Sequence, residues 1–262
     1  MVACLALGTT LALSSGGCSG ETVVAVDESA CGAGLLDGLV GYWRLADSVD
    51  SPFAHDWTKQ NDGTLSGLDP SMAWVTGGPE GGALSVEGTG FVNVPRSTSI
   101  DSVTDQVTVA AWMFLNGTIT DYATAISRQI GTGYGQTYHL SVKAEMVARL
   151  FITTPLSGQV VITTAATVPS QTWVHLAGTY DGAEARLYID GALLASGAVD
   201  GPFAAETNPV IVAGNQNGTD HATSELVPGR LAGVMLYKRA LSDDEIARLH
   251  TCGSLASPGK DH

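Results

Sequence analysis

Charge is scarce in this sequence. Only 15% of its 262 residues are Asp, Glu, Lys or Arg, against about a quarter in an average domain. Together with 32 Gly, that poverty suits strands and turns better than helices. Positive charge is scarcer still: 12 Lys and Arg stand against 26 Asp and Glu, a formal net charge of −14. Nucleic acid and anionic membrane surfaces are repelled by such a chain before contact, whereas acidic loops can attract a cation. Cysteine is also rare, with four in all, and no neighbouring Cys or His gives zinc-type spacing. Catalytic signatures are missing as well. There is no Gly-x-Ser-x-Gly elbow and no His-Glu-x-x-His, and Gly131-Thr132-Gly133-Tyr134-Gly135 reads as a loop, not as a phosphate-binding turn opening a helix.

The first seventeen residues hold no charge, and Val2 to Leu13 is an apolar run of signal-peptide length, too short to span a bilayer. Ser14 to Gly20 follows, with small residues before Cys18. The segment resembles a bacterial lipobox and predicts lipidation of Cys18. It departs from that pattern at Ser15, where leucine is usual, and in lacking an early Lys or Arg, so plain secretion stays open. The expected organisation is a signal at 1–18, a tether at 19–35, one domain at 36–252 and a tail at 253–262. Cys31 and Cys252 then flank the domain, and an even pair in an exported chain predicts a disulfide. Such a bridge restrains the unfolded chain by roughly 4–5 kcal/mol.

From Leu39 onward, short alternating runs are broken by Gly, Pro, Asn and Asp about every ten residues, the spacing of a sandwich. Gln106 to Phe114 is apolar on both sides and reads as a central strand. Thr172 to Gly197 reads as three antiparallel strands joined by Asp181-Gly182 and Asp190-Gly191, because Asp-Gly accepts the positive φ that tight hairpins need. Weaker pairs are Tyr138–Lys143 with Met146–Thr153, and Gln159–Thr164. One helix is expected, over Leu241–Leu249. Ser242 and Glu245 form a capping box there, and Leu241 with Ile246 a hydrophobic staple. The acidic triplet from Asp243 suits the helix dipole, so it needs no catalytic explanation.

Leu39-Val40-Gly41-Tyr42-Trp43, Asn61-Asp62-Gly63-Thr64-Leu65, Gly81-Gly82-Ala83-Leu84, Trp173-Val174-His175-Leu176-Ala177-Gly178-Thr179-Tyr180-Asp181-Gly182 and Tyr237-Lys238-Arg239-Ala240-Leu241-Ser242 occur in one order. In that order they resemble the laminin G-like, concanavalin A-like family over roughly residues 39–250. The resemblance implies an all-β, two-sheet antiparallel jelly roll with one short C-terminal helix. It implies a non-catalytic extracellular module that binds carbohydrate at a bacterial cell envelope, secreted or lipid-anchored. A structural or adhesive protein binding another surface protein is the alternative. A glycoside hydrolase is the most remote reading, since that chemistry needs two carboxylates a few ångströms apart and no Glu-x-Asp-x-Glu strand exists.

Some relatives hold Ca²⁺ on Asp, Asn and backbone carbonyls, a ligand set that suits a hard cation of flexible geometry. Asp56 and Asn61 are the positions this implies here. An Asx-type turn explains the same two residues, and Leu231-Ala232-Gly233 stands where relatives carry two carboxylates. Sugar binding needs aromatic faces beside hydrogen-bonding groups. Trp57, Tyr122 and Tyr134 in expected loops, and the polar run with Asn215, Asn217 and Asp220, are the candidates. Trp43, Trp112 and Trp173 lie in strands and are expected in the core, as is His175. Asn116-Gly117-Thr118 and Asn217-Gly218-Thr219 match glycosylation acceptors, which act only on a eukaryotic secretory route.

Overall fold

The computed structural model describes residues 34–133, 135–217 and 222–252. Two antiparallel sheets form a sandwich. The first runs β14 (Ala192–Ala198), β13 (Glu184–Ile189), β12 (Trp173–Tyr180), β7 (Val107–Leu115), β18 (Gly229–Tyr237), β5 (Gly82–Ser85), β4 (Trp74–Thr76), and β1 (Leu39–Trp43) also pairs with β18. The second runs β11 (Gly158–Thr167), β10 (Val147–Thr154), β9 (Gln136–Lys143), β8 (Tyr122–Gln129), β15 (Val210–Val212), β6 (Phe91–Val94), β3 (Gly63–Ser66), β2 (Phe53–Ala54). A small hairpin of β16 (Asn215–Asn217) and β17 (Ala222–Ser224) lies beside β8. Two helices complete the described residues, α1 (Pro70–Ala73) and α2 (Asp243–Cys252).

Side chains alternate across a strand, so each sheet has one face toward the other. Val107, Val109, Ala111, Met113 and Leu115 of β7 meet Tyr138, Leu140 and Val142 of β9 and Leu150 and Ile152 of β10 in one buried cluster. Gly178 marks a close approach of the layers: a Cβ there would stand 2.6 Å from Leu150 Cδ1. The expected central strand is central, since β7 pairs with both β12 and β18. Its other face is covered differently. Ala110, Ala177, Tyr188, Met235 and Tyr237 form a second cluster with Leu241, Ile246 and Leu249 of the α2 region and with Leu35. Leu35, placed at the end of the tether by composition, is fully buried and belongs to the domain.

The three-strand meander after Thr172 is as expected, with one local difference. Asp190 and Gly191 both have positive φ, a two-residue turn between Ile189 and Ala192. At the other Asp-Gly only Gly182 does. There Asp181 Oδ1 accepts from Ala183 N at 3.0 Å and Glu184 N at 2.8 Å, so a side-chain-stabilised three-residue connection, Asp181 to Ala183, joins the strands. The capping box is reciprocal: Ser242 N donates to Glu245 Oε2 at 2.9 Å and Glu245 N to Ser242 Oγ at 3.3 Å. The Arg239 guanidinium also holds Glu245, pulling its carboxyl down to about 2.

Trp43 is in the core as expected, but Trp112 and Trp173 are not. Both point away from the second sheet and keep part of their surface in solvent. Trp112 packs on His175 at 5.1 Å and His250 at 5.4 Å, and Trp173 on Phe114 at 5.7 Å. Both faces of β7 are apolar, so alternation alone does not say which one meets the other sheet. His175 is buried beside Trp112, as anticipated, and burial depresses its pKa to about 3.

Candidate functional site

The outer face of the second sheet is built by the residues that alternate with its core side chains. Register places Thr124, Ser141, Arg149 and Thr163 in one row across β8 to β11, and Ser127, His139, Phe151 and Val161 in the next. Polar groups and rings thus stand together on a face that the other sheet does not cover. His139 stacks on Phe151 with centroids 4.7 Å apart and planes at 19°, and Tyr122 stands 6.1 Å from each of these rings. Arg149 Nη1 donates to Tyr122 Oη at 3.2 Å, its guanidinium carbon 5.9 Å from the ring centre.

Hydrogen bonds fix the protonation of this cluster. Thr124 Oγ1 donates to Glu225 Oε2 at 3.0 Å, and the same oxygen lies 2.7 Å from His139 Nε2. A hydroxyl has one proton, so with that proton given to Glu225, Nε2 of His139 is the donor and Nδ1 a bare acceptor. Burial depresses the His139 pKa to about 3. The ring is therefore neutral, and its 3.4 Å approach to Glu225 is not an ion pair. His139 Nδ1, Ser141 Oγ, Arg149 Nε, Thr137 Oγ1 and Thr153 Oγ1, all on β9 and β10, are buried with no partner. Leaving a buried polar atom unmatched costs about 1–3 kcal/mol, and such concentrations mark functional surfaces.

Two of the sequence candidates meet here, though on strands and not in loops. Tyr122 opens β8, and Asn215 opens β16, where its Nδ2 donates to Glu225 Oε2 at 3.1 Å. Asn217 ends β16. Tyr134 and Asp220 lie outside the described residues, as do Cys18 and Cys31, while Cys252 ends α2. Trp57 is not part of this face: it packs 6.3 Å from Tyr42, on the far side of the first sheet. His139, Ser141, Arg149, Phe151 and Glu225 were missed. For β9 a signal was present, because Thr137, His139 and Ser141 alternate with Tyr138, Leu140 and Val142. Glu225 carried none, since its link to Thr124 spans 101 positions.

Asp56 and Asn61 do not fit Ca²⁺. Asp56, only 3% exposed, accepts at Oδ1 from Tyr42 N at 2.8 Å and Thr58 N at 3.0 Å. At Oδ2 it accepts from Gln60 N at 3.2 Å, Asn61 N at 2.9 Å and the Thr58 hydroxyl. Asn61 turns its amide nitrogen to Val40 O at 2.7 Å, and its oxygen takes the hydroxyls of Ser97 and Ser99. Lone pairs spent on donors have none left for a cation. The pair is a turn that ties the loop to β1. Among the described residues no three His, Cys, Asp or Glu converge as metal ligands.

A carboxylate does reach the stretch where Leu231-Ala232-Gly233 lacks one. Glu80 comes from the loop between β4 and β5, its Oε1 filling the space a Cβ of Gly233 would need, at 2.7 Å, where φ is +55°. Tyr42 Oη donates to Glu80 Oε2 at 2.6 Å, with Arg44 Nε 3.5 Å away. Burial nonetheless raises this acid to about 7.

These features define the class first: a two-sheet jelly roll with one face sealed by a helix and one carrying matched rings and hydrogen-bonding groups. Residues 86–247 match the family model of the Concanavalin A-like lectin/glucanases superfamily, and the chain belongs to that superfamily. Comparison with curated protein sequences gives no match. Among solved structures, domain 4 of AbnA, a GH43 extracellular arabinanase from Geobacillus stearothermophilus in complex with arabinotriose, is 18% identical. That likeness has a TM-score of 0.59 and covers 81% of this chain and 98% of that one. The binding domain of Paraclostridial Mosquitocidal Protein 1 is 17% identical, with a TM-score of 0.61 over 83% of this chain and 53% of that one. Trypanosoma rangeli sialidase is 16% identical, with a TM-score of 0.58 over 81% of this chain and 32% of that one, so the likeness spans about a third of the sialidase. At these identities the likeness is one of fold.

Proposed function

We propose that the chain is a non-catalytic carbohydrate-binding module that takes its ligand on the outer face of the second sheet. The observation that carries this reading is the set of unmatched polar atoms among Tyr122, His139 and Phe151. Sugars present C–H faces that pack on rings and hydroxyls that both donate and accept. A bare imidazole nitrogen, a serine hydroxyl and a guanidinium N–H supply both senses. These atoms have no solvent contact in this structure, so binding requires side chains of this face to move. The arabinotriose-bound relative supports the class of ligand by analogy of fold alone.

Export, a secreted or lipid-anchored place at a bacterial cell envelope, lipidation of Cys18 and a Cys31–Cys252 bridge belong to the same reading. The bridge is supported by Leu35 and Leu249 sharing one apolar cluster, which brings the two flanks of the domain together. Mass spectrometry of the native protein under non-reducing conditions reads both cysteine proposals; a free thiol at Cys31 or Cys252 refutes the bridge.

A glycan array with the wild-type domain and with Tyr122→Ala tests the function. Saturable binding, unchanged by EDTA and lost in the variant while the melting temperature holds, is the expected result. No binding to any glycan shifts the assignment to an adhesive protein partner. Hydrolysis of a polysaccharide panel by the purified protein overturns the non-catalytic reading.

A further inference from the structure

In this acidic chain five arginines are held by carboxylates, Arg44 by Glu80, Arg96 and Arg128 by Asp101, Arg186 by Asp181 and Glu184, and Arg239 by Glu245, while Arg230 lies over the Phe114 ring of the first sheet with its Nε unmatched. Arg149 departs from that pattern. Its one hydrogen bond among the described residues is to the neutral Tyr122 hydroxyl, and its Nε is buried without a partner. Glu145, nearby on the β9–β10 turn, is engaged by Lys143 at 3.1 Å, and Arg149 is the smallest of the influences on it. Glu225 lies at the β8 side of the face and is occupied by Thr124 and Asn215.

We propose that Arg149 seats a carboxylate of the bound sugar, so that this face selects a glycan bearing an isolated uronic or sialic acid over its neutral counterpart. The inference rests on the carbohydrate-binding reading above and names the ligand more narrowly. With Nη1 on Tyr122, the Nε and Nη2 edge of the guanidinium remains, the fork that meets a carboxylate with two parallel hydrogen bonds. The remaining polar atoms divide to match: Ser141 beside Arg149 in the row, then the bare His139 Nδ1 for a donating hydroxyl. The −14 net charge limits the ligand further. It opposes a dense polyanion over many ångströms, whereas a single carboxylate gains a contact attraction well inside the ~8 Å screening length.

Titration calorimetry with matched pairs decides the matter: a uronic-acid oligosaccharide against its carboxyl-reduced form, and sialyllactose against lactose. At least one acidic member is expected to bind about tenfold tighter than its neutral partner, with an advantage that shrinks as salt rises. Arg149→Gln is expected to erase the advantage, weakening the acidic member more than the neutral one. Equal binding within both pairs, or an advantage that survives Arg149→Gln, overturns the proposal and leaves the carbohydrate reading standing. Equal affinity for a sulfated counterpart overturns the assignment to carboxylate. If Arg149→Gln misfolds, the wild-type comparison and its salt dependence decide alone. Absence of binding to every sugar, charged or neutral, sinks the parent reading as well.

Discussion

The two outer faces of the sandwich are made by the same period-two pattern and end in opposite states. On the first sheet, Ala110, Ala177, Tyr188, Met235 and Tyr237 lie under Leu241, Ile246 and Leu249, and the face is sealed over much of its area. On the second, Thr124, His139, Ser141, Arg149 and Phe151 occupy the equivalent outward positions, and among the described residues no helix packs on them. Each face buries one neutral histidine, His175 or His139. On the sealed face the outward side chains serve stability, since burying Ile246 or Leu249 contributes about 1.5–3 kcal/mol each. Unmatched polar atoms cost stability on both faces, His175 Nδ1 and Thr179 Oγ1 among them on the sealed side, and on the second sheet they stand together with the rings of Tyr122, His139 and Phe151.

The contrast can be tested from its strongest consequence downward. Asp56→Ala strands the backbone donors that tie β1 to the sealed side, and is expected to lower unfolding free energy by about 3–5 kcal/mol in urea titration; a change below 1 kcal/mol would mean water replaces the carboxylate freely. Ile246→Ala opens a cavity under α2 and is expected to cost about 2–4 kcal/mol, with sugar affinity unchanged wherever the domain stays folded. Loss of affinity in that variant at full folding would show that the faces are coupled.

Acid comes next. His139 and His175 stay neutral in the native state down to about pH 3, while the unfolded chain takes up their protons below about 6.5. Stability is therefore lost as pH falls from about 6.5 toward 3. Glu80 acts oppositely, holding its proton to about 7 when folded and about 4.5 when unfolded. Its contribution is full below 4.5 and lost as pH rises through 7, so the two effects oppose between 4.5 and 6.5 and the steepest loss lies below 4.5. His139→Gln and His175→Gln are each expected to flatten the pH dependence of the urea midpoint by similar amounts. A large inequality would show that one face admits water in solution. The smallest effect belongs to the half-exposed Arg186 pair with Glu184 on β13: Arg186→Gln is expected to change stability by less than about 1 kcal/mol, and a larger loss would reveal an unsuspected role for that strand.

Much of the fold could be read before any coordinates. The meander over β12 to β14 was legible because apolar residues alternate between Asp-Gly punctuation, and α2 because Ser242, Glu245, Leu241 and Ile246 stand at capping positions. The site was less legible. Tyr122 and Asn215 were chosen as aromatic and amide residues in supposed loops, and the structure puts them on strands at the proposed face; Trp57, chosen on the same grounds, stands behind the other sheet. Asp56 and Asn61 carry the right atoms for a cation, but the backbone N–H groups of Tyr42, Thr58, Gln60 and Asn61 reach the Asp56 carboxylate first. His139 and Arg149 were hidden because a strand sequence lists its two sides without saying which is covered.

What the sequence determined alone is local: where strands begin and turn, how the helix is capped, and that inward positions are apolar. Which outward face α2 would seal, that Glu80 would enter the bulge at Gly233, and that Glu225 would meet Thr124 were decided only by the tertiary structure. The physical reason is range. Period and capping act over a few residues, whereas those contacts join groups from 55 to more than a hundred positions apart, and only the pairing order of the strands brings them together.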